Sequence, residues 1–147
     1  MNRLHRITKL PIFLTITLIS ILFIRCDKNQ SNIPYVYVNF PITIGDPEYF
    51  DLEAVGNHVF IKNAGVNGII IYRSSINEFH AYDRTCTYKP EKNCAVIDDS
   101  TSSILVKCPC CGSKFGLDYG YVTSGPATRP LKEYHTSFDG VTLHVYN

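Results

Sequence analysis

An all-β domain, built as a small sandwich of antiparallel sheets, is the fold this sequence predicts, on three observations. Short runs rich in Val, Ile, Tyr and Phe recur through residues 34–147, each bounded by Gly, Asn, Asp or Ser. No stretch keeps a helical apolar period over three turns. Asp139-Gly140, set between two such runs, is a strong hairpin turn signal.

In chain order, Tyr35-Val36-Tyr37-Val38 is rich in β-formers. Pro34, Pro41 and Pro47 exclude a helix there and predict an edge strand or an irregular extended arm. Tyr35, Tyr37 and Phe40 either cover the core or face a partner, core packing being the simpler expectation. Strands follow at Val59-Phe60-Ile61, Ile69 to Tyr72, Glu78 to Tyr82 and Ile104 to Lys107. Ile69-Ile70-Ile71-Tyr72 is apolar without a break, as in a strand buried on both faces. The last strands fall at Lys114-Phe115, Tyr121-Val122, Tyr134 to Phe138 and Val141 to Tyr146, with Asp118 to Gly120 as a further turn. Asp98-Asp99-Ser100-Thr101-Ser102-Ser103 reads as a solvated turn rather than a cation site.

The first 25 residues are of another kind. Arg3, Arg6 and Lys9 make a basic start, and Leu10 to Ile24 is almost wholly apolar. A helix of that length spans about 22 Å, short of the roughly 30 Å hydrocarbon core, and so suits a secretory signal rather than a membrane span. It ends at Arg25-Cys26, before a polar run. The arrangement resembles a bacterial lipoprotein signal, although Phe23 and Arg25 stand where such signals have Leu and a small residue. The resemblance implies lipidation at Cys26. The expected organisation is a signal peptide over 1–25, a tether over 26–33 and one domain over 34–147, exported and membrane-tethered in the cell envelope. Disulfides persist in that compartment.

Of 14 Lys and Arg, four lie in that leader with none of the 13 Asp and Glu, which leaves the remainder at a net charge of −3. Such a balance excludes a nucleic-acid surface. A hydrophobic content of 45% excludes a disordered chain. No G-x-S-x-G elbow or H-E-x-x-H helix occurs, and no Cys–His nucleophile pair is evident.

The informative excess is cysteine. Beyond Cys26 there are five, in two loops: Cys86 with Cys94, and Cys108-Pro109-Cys110-Cys111. Two such loops joined by a short strand segment can meet at one tip of a sheet, where metal sites and inter-loop bridges are assembled. Five is odd, so oxidation within the domain leaves one thiol over.

Ala81-Tyr82-Asp83-Arg84-Thr85-Cys86-Thr87-Tyr88 resembles the first cluster-binding loop of Rieske proteins, and Cys108-Pro109-Cys110-Cys111-Gly112-Ser113-Lys114-Phe115 resembles the second. Gly120-Tyr121-Val122 and Gly125-Pro126-Ala127-Thr128-Arg129-Pro130-Leu131 look like that fold's turn and proline loop. The resemblance runs from about Gly68 to Asn147. It implies a Rieske-like fold, and the family's work is electron transfer through a [2Fe–2S] cluster held by two Cys on one iron and two His on the other.

The sequence departs from that pattern at both histidines. Tyr88 stands at the first imidazole position and Cys111 at the second, leaving Cys86 and Cys108 as matching ligands. Cys94 and Cys110 resemble the extra pair that bridges the loops in high-potential members. Lys89-Pro90-Glu91-Lys92-Asn93 lengthens the first loop. His80 precedes Cys86 by six residues, about 20 Å of extended strand, and His58, His135 and His144 belong to other segments, so none is expected to replace the missing ligands.

Three arrangements of the tip follow. In the preferred one the metal is lost and disulfides staple the loops: Cys94 with Cys110 by resemblance, and Cys86 with Cys108 or Cys111. The domain is then a structural or interaction module for an envelope partner, not an enzyme by itself. In the second, a [2Fe–2S] cluster persists on Cys86, Cys108, Cys111 and Tyr88. Three thiolates and a phenolate make it more negative than two thiolates and two imidazoles do, which lowers its potential. In the third, zinc is held by Cys86, Cys94, Cys108 and either Cys110 or Cys111.

Overall fold

The structure, a computed structural model, describes residues 33–147. The signal over 1–25, Cys26 and the tether up to residue 32 lie outside the described residues. Two antiparallel sheets make up the domain. The larger contains β1 (Asn39–Thr43), β2 (His58–Ile61), β3 (Ile69–Arg73), β4 (Phe79–Asp83), β9 (Glu133–Phe138) and β10 (Thr142–Tyr146), in the order β1-β10-β9-β4-β3-β2. The smaller is a meander of β5 (Ile97–Asp99), β6 (Ser102–Lys107), β7 (Lys114–Gly116) and β8 (Val122–Ser124). It is inserted between β4 and β9, which are themselves neighbours in the larger sheet.

Strand β3 explains how one sheet serves two cores. All four of Ile69 to Tyr72 are buried. Because alternate strand side chains point to opposite faces, Ile69 and Ile71 join Val38, Ile42, Leu52, Phe79, Ala81 and Val145 on one side. Ile70 and Tyr72 join Tyr82, Val96, Val106, Phe115 and Leu131 on the other. Residues from both cysteine loops, Cys86 and Cys108, belong to this second cluster. The small sheet is thus packed on the larger through the core that also carries the loops.

Three local expectations are corrected. Pro47 begins a helical segment instead of excluding one: Pro47–Glu53 is 3-10 helix kinked at Tyr49 (φ −119°), capped by Asp46, whose carboxylate accepts from Glu48 N at 3.0 Å. Proline is tolerated in a first turn, where its missing N–H has no partner to lose. The expected edge strand is β1, which begins at Asn39 and holds Pro41, paired on one side only, with β10. Tyr35 to Val38 is an irregular arm fastened by Asn147, which donates to Val36 O at 2.7 Å and accepts from Val38 N at 3.1 Å. Tyr35 and Tyr37 are accordingly 74% and 69% exposed and do not cover the core, whereas Phe40 packs against it. Finally, the solvated turn is confined to Ser100 and Thr101, and Asp98, exposed, and Asp99 belong to β5. Asp99 is buried and paired with Lys114, while Asp98 meets His58 at 2.6 Å.

Candidate functional site

The first cysteine loop grows out of the buried end of β4. Asp83 is fully buried and accepts from Val66 N at 2.8 Å, Tyr134 OH at 2.7 Å and the backbone and hydroxyl of Thr85. A carboxylate so fully satisfied fixes the strand exit where Cys86 follows three residues later. The loop is then closed at its base by Cys86 N to Cys94 O at 2.8 Å, Val96 N to Arg84 O at 2.7 Å and a Thr85–Ala95 bridge. Within it the lengthened segment forms a 3-10 turn, Pro90–Lys92, ended by Asn93 at φ 49°.

The second loop is a tight turn between β6 and β7. Gly112 N donates to Cys108 O at 2.9 Å, and Cys108 N to Ser113 O at 2.8 Å. Gly112 sits at φ 77°, a conformation that suits glycine and lets Cys108 and Cys111 share one side of the turn. A third segment leans on both loops: Thr87 Oγ donates to Arg129 O at 2.7 Å, and Ala127 N to Ser113 Oγ at 3.0 Å. Gly125 is required for that approach, since a Cβ there would lie 2.5 Å from Ser113 Cα.

Cys94 and Cys110 are joined by a disulfide with a Cα separation of 6.3 Å, the pair the resemblance implied. Cys86, Cys108 and Cys111 are free thiols. Their sulfurs all lie within 4.8 Å of one another, and Cys86 and Cys111 approach to 3.5 Å without bonding. The expected second bridge from Cys86 is therefore not formed. The four-thiolate zinc set is not available either, because the bridge consumes Cys94 and, in one of its two versions, Cys110 as well.

The three thiols differ chemically. Burial, followed by the hydrogen bond with Cys108, pushes the Cys86 thiol up to about 12. Burial also acts to raise Cys111, but hydrogen bonds from the hydroxyl and backbone of Ser113 outweigh it, and its pKa falls below the ordinary thiol value. The neutral Cys111 thiol donates to Ser113 Oγ at 3.1 Å, an oxygen that also accepts from Ala127 N, and the Ser113 hydroxyl turns its own proton to the sulfur when Cys111 is a thiolate. Sequence reasoning missed this role of Ser113, although the residue stands in the motif two places beyond Cys111.

Tyr88 lines a cavity of about 50 Å³ together with the five cysteines, Lys89 and Lys92. Tyr88 is 42% exposed, and its ring lies against the Lys89 ammonium, 5.3 Å from the ring centre. The histidines are engaged elsewhere: His58 with Asp98, His80 with Glu133 at 3.2 Å, and His135 against the Tyr146 ring. Among the described residues none joins the three thiols.

The model of the Rieske [2Fe–2S] domain matches residues 47–135, well over half of the chain. The chain belongs to the Rieske [2Fe–2S] domain family. It is similar in structure to the plasma membrane Rieske protein PetC3 of the cyanobacterium Synechocystis PCC 6803, at 25% identity and a TM-score of 0.53, covering 77% of this chain and all of that one. A second similar structure is a complex of reduced oxygenase and oxidised ferredoxin in carbazole 1,9a-dioxygenase, at 19% identity and a TM-score of 0.49, covering 74% of this chain and 93% of that one. No curated protein sequence matches.

The family's cluster does not fit the side chains at this tip. A Rieske centre takes two imidazoles on its second iron, and the corresponding positions hold a tyrosine and a thiol. Ligands to opposite irons of a two-iron rhomb also stand farther apart than ligands sharing one iron. Cys111 lies 3.5 Å from Cys86, a separation suited to one shared metal.

Proposed function

We propose that the protein is a membrane-tethered envelope module that keeps the Rieske fold without Rieske electron transfer, acting through a protein partner and not as an enzyme by itself. The observation that carries this reading is the donor set. Where the family places imidazoles the tip has Tyr88 and Cys111, and its loops are tied by Cys94–Cys110. Without an imidazole there is no group to couple electron and proton uptake near neutral pH. The tip is also bulky and cationic, with Tyr88, Lys89 and Lys92 on its rim, whereas short-range electron transfer favours a bare, apolar contact. Lipidation at Cys26 supplies the tether. The similarity to a plasma membrane Rieske protein supports a membrane setting.

The test is iron and acid-labile sulfide analysis, with a visible spectrum, of the full chain purified in detergent without air. The expected result is no sulfide and no iron–sulfur absorption. Two irons and two sulfides per chain would establish the cluster on Cys86, Cys108, Cys111 and Tyr88 instead. For the tether, Cys26→Ser should release the protein from the membrane fraction, and retention there would refute the lipid anchor.

A further inference from the structure

We infer that Cys86, Cys108 and Cys111 form a site for one thiophilic divalent cation of the zinc class, held by three thiolates with its fourth position open to the neighbouring cavity. The inference rests on the preceding reading in one respect, that no two-iron cluster occupies the tip.

Size is the first argument. A tetrahedral zinc ion with bonds of about 2.3 Å places its sulfurs about 3.8 Å apart. Here one side of the sulfur triangle is 3.5 Å, and no side exceeds 4.8 Å. Shifts of under an ångström bring all three sulfurs onto such an ion. Three sulfurs and no carboxylate select a thiophilic metal over magnesium or calcium.

Preorganisation is the second. Cys94 and Cys110 are bonded to each other and cannot ligate, but their bridge clamps the two loops that carry the three ligands. Ser113 Oγ, held by Ala127 N, lies 3.1 Å from Cys111 Sγ, within reach to donate to that sulfur once it is a thiolate. Metal-bound thiolates are oriented by partners of this kind.

Charge and space are the third. A dication with three thiolates carries one net negative charge. Lys89 and Lys92 line the same cavity and offset it. The cavity, about 50 Å³, exceeds the roughly 10–15 Å³ that one water needs, which leaves room for a water to complete the tetrahedron. Three protein ligands plus water is the arrangement of an open zinc site, unlike the closed four-ligand structural kind.

Cobalt(II) is the probe. The full chain in detergent, bridge intact and stripped of metal under argon, should saturate at one cobalt per chain. It should show thiolate-to-cobalt charge transfer with the intense visible bands of a tetrahedral ion, and zinc should displace it. Cys111→Ser, at a half-buried position the fold can spare, should weaken binding by at least about tenfold. Tyr88→Phe should leave the spectrum unchanged. The Cys94→Ala/Cys110→Ala pair should keep the one-to-one stoichiometry, which separates ligation from folding. Unaltered binding in Cys111→Ser would refute the ligand set, and loss of the bands in Tyr88→Phe would refute the open position. A chain that takes no cobalt while all three thiols react with iodoacetamide would overturn this inference alone. Two irons with sulfide would overturn it together with the preceding reading.

Discussion

In the six-stranded sheet, the side chains that fix the geometry share a kind: Ile42, Ile69, Ile71, Leu143 and Val145 are all fully or almost fully buried aliphatics. Their contribution is area removed from water, about 25 cal/mol per Å², and one aliphatic can stand in for another with modest loss. At the cysteine tip each residue is specified individually. Cys94 needs Cys110, Ser113 needs Cys111 and Ala127 N, and Gly125 must lack a Cβ. A scaffold of the first kind tolerates drift, whereas a tip of the second kind changes its chemistry when one position changes. That asymmetry explains how the fold persists here with both imidazole positions replaced.

The small sheet between these regions tests how far the scaffold's kind of stability extends toward the tip. Phe115, on β7 just beyond the second loop, is fully buried in the core that also holds Cys86 and Cys108. Phe115→Ala should destabilise the domain by about 3–5 kcal/mol in urea unfolding. A loss below about 1 kcal/mol would mean that the bridge, and not burial, holds the small sheet on the large one.

Opening the bridge is the next largest perturbation. The Cys94–Cys110 bond spans 16 residues, for which chain entropy gives about 3 kcal/mol. The Cys94→Ala/Cys110→Ala double variant should lose stability of that order while its far-ultraviolet circular dichroism stays native. Loss of native strand signal would show that the six-stranded sheet depends on the tip, and the contrast between the regions would fail.

The same contrast governs what was legible in the sequence. Ile69 to Tyr72 announced a doubly buried strand because burial leaves a compositional trace, and the hairpin at Asp139-Gly140 left a turn signature, with Gly140 at φ 101°. The two cysteine loops and their departures from the Rieske pattern were readable as motifs. What was not readable depends on which groups meet in space. Asp98-Asp99 has the composition of a solvated turn, yet Asp99 is buried because Lys114, two strands away, neutralises it. Pro47 signals the absence of helix only where its N–H would have been needed. Likewise, no spacing rule places Cys111 beside Cys86 instead of across a cluster. That proximity follows from the turn at Gly112 and the closure of the first loop at Cys94 O.

The smallest effect concerns that pair, buried Asp99 and half-buried Lys114, which joins β5 to β7 across β6 and is the one ionic element among the small sheet's strands that behaves like the tip, each partner requiring the other. The hydrogen bond from Lys114, helped by those from Thr101, holds the Asp99 carboxyl at about 2 against an ordinary 3.8. Because the folded state binds this proton less readily than the unfolded one, Asp99 stabilises the fold above the ordinary value. That contribution is lost as pH falls through the interval from 3.8 to about 2. Asp99→Asn removes the titration, so the gap in urea midpoint between the native chain and the variant should be constant above about pH 5 and narrow progressively below it. A gap that stayed the same down to the lowest pH would mean that neither Lys114 nor Thr101 favours the Asp99 carboxylate over its protonated form, and that the small sheet is held as the large one is, by burial.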